Sequence, residues 1–190
     1  MPASHTGRLA LPVRFSSTRL LRGHTLPRMS FPRAYFLTWR TYGSWLHGDE
    51  RGCVDRTHNI LGTPMLDPDP KRHKGDLSRM ANSAFKLNEG ARRIVQETIT
   101  CHCDLRGWEI AALNVRTEHV HVIVSCGEIK PEDVMSQLKA WCTRRLREVD
   151  LASPDASVWS HHGSTQHLWK ESDIAVAVTY VMDCQGADLP

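Results

Sequence analysis

The stretch His119-Val120-His121-Val122-Ile123-Val124 holds the residues best suited to chemistry. In a β-strand, residues two apart share a face, so His119, His121 and Ile123 point one way and the three valines the other. The two imidazoles then lie within about 7 Å at Cα, close enough for one divalent ion to take a nitrogen from each. The valines bury the reverse face, which leaves the histidines on the outer surface of the sheet. The same alternation also suits two surface histidines on an amphipathic strand. A second chemical group is therefore needed, and Tyr180 offers one. It is one of three tyrosines, in Tyr180-Val-Met-Asp-Cys-Gln185-Gly, on a helix whose apolar stripe does not require it.

The elements that must position these residues follow from periodicity. Tyr35, Leu37 and Trp39 alternate with Phe36, Thr38 and Arg40 over 34–40, as a strand requires. Residues 42–80 are heavy in Gly, Pro, Asp, His and Arg and read as a long irregular insertion, a length uncommon in compact domains unless functional. An apolar stripe of Ala84, Leu87, Ala91, Ile94, Val95 and Ile99 predicts a helix over 82–104. Residues 108–116 and 119–125 are β-rich runs separated by the polar Thr117-Glu118, a hairpin signal. Pro131 and Glu132 open a second helix to about Glu148, with Val134, Leu138, Trp141 and Cys142 toward the core. A strand or hairpin over 158–169 and a helix over about 173–185 complete the order, the latter burying Ile174, Ala177, Val178 and Val181. This succession predicts an α+β, ferredoxin-like or RRM-like sandwich: a central antiparallel sheet, helices on one face, and an added C-terminal helix that bears Tyr180.

A chain of 190 residues, about 41% apolar, supports one core of ordinary size. It is read as a single domain over 31–190. No apolar run approaches the roughly 20 residues of a spanning helix, so a membrane partner is not expected. Six cysteines without a Cys-x-x-Cys pair are expected to be free thiols of a cytoplasmic chain. Cys101-His102-Cys103 lacks the loop and second ligand pair of a zinc site and is assigned to helix packing. The net charge of +3 conceals an asymmetry: residues 1–48 carry seven arginines and no acid, against 17 basic and 21 acidic residues beyond. Residues 1–30, rich in Arg, Ser, Pro and Thr, are expected to form a disordered basic tail, or to precede a true start at Met29. Such a field suits a polyanion.

An aromatic-rich first strand (Tyr35-Phe-Leu-Thr-Trp39), a His-hydrophobic-His strand, a helix carrying Gln137-Leu-Lys139 and a late Tyr followed by Gln together resemble the insertion-sequence-200-like, single-tyrosine transposases of the HUH class. Their REP-associated relatives are similar. The resemblance spans residues 33–186, with its specific motifs at 119–121 and 180–185. It implies that His119, His121 and Gln185 bind Mg²⁺ or Mn²⁺, and that Tyr180 attacks a DNA phosphate, keeping the 5′ end covalently and releasing a 3′-hydroxyl. It further implies a homodimer and single-stranded or hairpin DNA as substrate. Many members place Gln four residues after Tyr. Here the interval is five, a rotation of about 140° on an ideal helix, so Gln185 reaches the metal only if the helix ends first, and Asp183 and Cys184 are alternatives.

The residue types suit that chemistry. A cation that neutralises a non-bridging oxygen prepares a phosphodiester for in-line displacement. Phenol, with a pKa near 10, needs help to attack but leaves well, so the linkage is reversible without ATP. Arg33, Arg40, Arg144, Arg145 and Arg147 are expected backbone contacts, Tyr42 and Trp45 expected stacking partners for bases, and Lys139 either a phosphate contact or a solvated helix charge. His161, His162 and His167 lie near the expected active edge without an assigned role. A histidine-triad hydrolase would need His at 123, where the chain has Ile. The rival is a non-catalytic binder of single-stranded or hairpin nucleic acid that keeps the fold and has lost strand transfer.

Overall fold

The computed structural model describes residues 31–50 and 66–183. The basic tail, residues 51–65 of the insertion, Cys184 and Gln185 lie outside the described residues. The elements are β1 (Ala34–Thr41), α1 (Pro70–Arg79), α2 (Glu89–Arg106), β2 (Glu109–Val115), β3 (His119–Ser125), α3 (Pro131–Glu148), β4 (Trp159–Leu168) and α4 (Glu171–Asp183). The four strands form one antiparallel sheet in the order β2-β3-β1-β4. This is the α+β architecture expected from the succession of elements.

The two faces of the sheet are covered differently. Leu37, Trp39, Val120, Val122 and Val124 pack beneath α2 and α3 with Val95, Ile99, Leu138, Cys142 and Leu146. On the other face α4 covers Ala34, Ala112, Ile123 and Leu168 with Ile174, Ala177 and Val181. The expectation that the histidines occupy an outer surface is thereby corrected, because α4 lies over part of their face. Ile123 is wholly buried and His121 is only 5% exposed.

Three local expectations also change. The helix predicted from residue 82 starts at Glu89, where the Asn88 side chain accepts from Ala91 N at 2.8 Å. Upstream of the cap the chain is held by other partners: Phe85 N donates to Tyr42 O and Leu87 N to Thr117 O, both at 2.8–2.9 Å. Leu87 is buried by that approach rather than by a helical stripe. The insertion contains a helix, α1, begun by Asp69, whose carboxylate accepts from Lys71 N and Arg72 N, with Pro70 in the first turn. It buries no residue, so hydrophobic periodicity gave no sign of it. Trp141, expected in the core, is 46% exposed at the edge of α3. The 158–169 run is a single edge strand whose Gly163 admits Met135 and the Thr38 carbonyl so closely that a Cβ would lie 2.5 and 2.6 Å from them.

The Cys101-His102-Cys103 segment packs as assigned: His102 and Cys103 are buried, and the four described cysteines are free. His102 lies between the rings of Trp108 and Trp141, with its Nε2 buried and unpaired. Burial lowers its pKa, a hydrogen bond with Gln137 opposes that, and the Arg106 charge lowers it further. A histidine neutral in the fold but free to protonate when unfolded makes stability fall as pH drops through about 6.5, by up to about 1.4 kcal/mol per pH unit until the folded pKa is reached. Urea denaturation of wild type and His102→Leu is expected to show that slope in wild type, and a flatter profile below about pH 6.5 in the variant.

Candidate active site

Register brings the site together. Opposed residues of antiparallel strands share a face, and the pairs Arg40–His119, Thr38–His121 and Phe36–Ile123 therefore set β1 against β3 on the histidine face. Asn114 of β2 lies opposite His121, and Ser164 of β4 opposite Thr38. One polar row, Asn114, His121, Thr38 and Ser164, crosses the whole sheet.

The imidazoles of His119 and His121 meet edge to face with centroids 4.7 Å apart. Thr38 Oγ1 and His121 Nδ1 share a hydrogen bond of 2.8 Å, which fixes the ring in place. From the opposite layer α4 brings Tyr180 to the same point: its ring centroid is 5.9 Å from that of His121 and 6.0 Å from that of Phe36. Tyr180 is 40% exposed, so its ring rests on the apolar packing without being sealed into it. Asn114 Nδ2 donates to Val181 O at 2.8 Å, fastening α4 to β2 one residue beyond Tyr180.

Among the remaining residues singled out in the sequence, Arg40 and Trp45 join this end of the sheet. Arg40, opposite His119, lies over the Trp45 ring with its guanidinium carbon 3.6 Å from the centroid. Tyr42 is occupied structurally, its hydroxyl accepting from Ala81 N at 3.0 Å. Arg33 precedes the other end of β1 and pairs with Glu171 at 2.8 Å. Arg144 and Arg145 both pair with Glu148 on α3, which packs on the valine face, away from the histidines. Lys139 is on the same helix. Its ammonium donates to Ser160 O and His162 O, and burial pushes its pKa down to about 8. It braces the edge strand from the α3 side.

Thr38 and Asn114 were not singled out from the sequence. Thr38 shares the alternation phase of Phe36 and Arg40, a usable signal, but its contact with His121 depends on register across 83 residues. Gln185, Cys184 and any contact they make are outside the described residues. Among the described residues, no group of three or more His, Cys, Asp or Glu side chains could hold a metal ion. His119 and His121 place two imidazoles side by side there.

The insertion-sequence family model described as "Transposase IS200 like" matches residues 79–181, just over half of the chain. The chain belongs to the IS200-like transposase family. The matched segment includes α2, β2, β3, α3, β4 and most of α4, and with them both histidines and Tyr180. Family membership supports a transposase function. No curated protein matches the chain. Solved structures that are similar include two transposase structures. The structure of a REP-associated tyrosine transposase bound to a REP hairpin has 13% identity and a TM-score of 0.42, covering 88% of this chain and 70% of the other. A candidate transposase from Deinococcus radiodurans R1 has 16% identity and a TM-score of 0.42, covering 90% of this chain and all of the other. Among the described residues no helix is long and apolar enough to cross a membrane.

Proposed function

We propose that this chain is a metal-dependent transposase of single-stranded DNA in which Tyr180 is the nucleophile and His119 and His121 hold a divalent cation. The observation that carries this reading is the meeting of the Tyr180 ring with the histidine pair of its own chain, 5.9 Å from His121, on a partly open face. The donor set fits such an ion. Two neutral imidazoles suit Mn²⁺ and accept Mg²⁺ when phosphate oxygens and water complete the shell. If His121 Nδ1–H donates to Thr38, the lone pair is placed on Nε2, the arrangement of a metal-binding histidine. Gln185 remains the proposed third protein ligand. When bound, the cation would withdraw charge from the scissile phosphate.

The chain's own groups supply the rest. Arg40 places positive charge beside His119, where a strand's phosphate would lie, with its guanidinium over the Trp45 ring. Tyr180 Oη forms a bond to phosphorus as the bond to the 3′-oxygen breaks, which leaves a 5′-phosphotyrosine and a free 3′-hydroxyl. Reversal onto another 3′-hydroxyl transfers the strand. The substrate is a hairpin in single-stranded DNA, and a homodimer carries two such sites.

The test is covalent capture with polarity. A hairpin oligonucleotide labelled 3′ of the cleavage point should leave its label on the protein after denaturation with Mg²⁺ or Mn²⁺ present, and one labelled 5′ of it should release the label as a 3′-hydroxyl fragment. Binding without any adduct under either metal would favour the non-catalytic binder. The Asn114 bond predicts a graded effect. Asn114→Ala removes one hydrogen bond of about 1 kcal/mol, so adduct formation should slow about fivefold with DNA affinity unchanged. Equal loss of binding and adduct would contradict the assigned role.

A further inference from the structure

Helix α1 lies almost wholly outside the family match, which begins at residue 79, and it buries no side chain of its own. A ten-residue helix of this composition is marginal by itself. It is held instead at both ends by the loop that follows β1. At its start, Asp69 N donates to Gly48 O at 3.1 Å, and Gly48, at φ 79°, approaches Asp69 so closely that a Cβ would collide with its carbonyl. At its end, Ala81 N donates to the Tyr42 hydroxyl. His47 of the same loop pairs with Asp76 at 3.1 Å. That loop also carries Trp45, which lies against Arg40 beside His119. The helix is therefore fastened to the histidine end of the sheet, without contributing to its core.

Its charges are sorted around its axis. At 100° per residue, Lys74, Lys71, Arg79 and Arg72 fall within about 160° of one another, with the small Gly75 and Ser78 between them. All four basic residues are exposed. Of the acids, Asp69 caps the helix, and Asp76 faces His47 and pairs with Arg79 at the margin of the stripe, which leaves Lys71, Arg72 and Lys74 as its core. A half-cylinder of positive charge with small residues along its middle admits a close-lying polyanion backbone, which a mixed-charge solvated face does not.

Resting on the transposase reading above, we infer that α1 is a phosphate-backbone clamp, in which Lys71, Arg72 and Lys74 hold the single-stranded DNA that enters the site at His119. Binding there is independent of sequence, since it reads charge and not base edges.

The experiment measures single-stranded oligonucleotide affinity against salt by fluorescence anisotropy, for the full chain and for the triple variant Lys71→Gln, Arg72→Gln, Lys74→Gln. Three lost phosphate contacts should reduce the slope of log K against log salt by about 2, so that between roughly 50 and 200 mM salt wild type loses about twentyfold more affinity than the variant. Because α1 buries nothing, the thermal midpoint should not move. A charge-conserving triple, Lys71→Arg, Arg72→Lys, Lys74→Arg, should restore the slope. A control triple on other surfaces, Lys130→Gln, Arg93→Gln, Arg106→Gln, should leave it nearly unchanged. An unchanged slope in the α1 triple, or an equal change in the control, overturns the clamp while wild-type adduct formation keeps the transposase reading. Absence of any wild-type DNA binding overturns both.

Discussion

Tyr180→Phe is expected to retain fold, DNA affinity and salt dependence, and to lose the covalent adduct by roughly 10⁴-fold or more, to background. The ring meets those of Phe36 and His121 edge to face, so a phenyl group fills the same place. At 40% exposure the tyrosine adds little to the core, and its loss should not shift the thermal midpoint by more than a degree or two. What disappears is the oxygen proposed to form the phosphotyrosine bond. Mixing distinguishes how the site is assembled. If Tyr180 acts on the histidines of its own chain, Tyr180→Phe combined with His121→Ala stays inactive, because neither chain has a whole site. Recovery of adduct in the mixture would show that the helix of one chain serves the histidines of another. An adduct formed by Tyr180→Phe alone, mapped to Tyr35 or Tyr42, would remove the assignment.

The second large effect is expected at His121. His121→Ala deletes one of the two proposed nitrogen donors, and a single imidazole is too weak a ligand to order a hard cation and a phosphate together. Adduct formation should fall about 10³-fold, equivalent to several kcal/mol of lost charge stabilisation. Chelation of divalent ions should abolish wild-type cleavage, with recovery on adding Mg²⁺ or Mn²⁺. Mn²⁺ affinity followed by electron paramagnetic resonance gives a reading apart from turnover. There Thr38 becomes informative, because its hydroxyl holds His121 Nδ1 at 2.8 Å. Thr38→Val keeps the shape and loses the hydrogen bond, and should weaken Mn²⁺ binding about 10- to 100-fold. Thr38→Ser should retain it. Equal Mn²⁺ binding by wild type and His121→Ala would sink the metal assignment.

Much of this was legible in residue order, and the exceptions have definite causes. Period-two alternation located β1 and β3 and put His119 with His121, because a strand allows only two facings. Pro131 and the acids after it fixed the start of α3. The start of α2 departs from the helical spacing because Leu87 fits the stripe while its backbone is committed to Thr117. Helix α1 leaves no hydrophobic period in the sequence because nothing in it is buried. Trp141 reads as core by type, but at the rim of α2 and α3 a ring of that size stays about half in water.

What the sequence determined by itself was the set of elements apart from α1, the shared face of the two imidazoles and the family resemblance, all of them local properties of spacing and residue type. Tertiary structure alone decided that α4 crosses the histidine face and sets Tyr180 against His121. It also gave Thr38 and Asn114 their partners, and separated Arg144 and Arg145 from Arg40 by a sheet's thickness. The reason is that strand register and the choice of face for a helix are settled by which buried surfaces fit together across many residues of chain, and no short stretch of sequence carries that information.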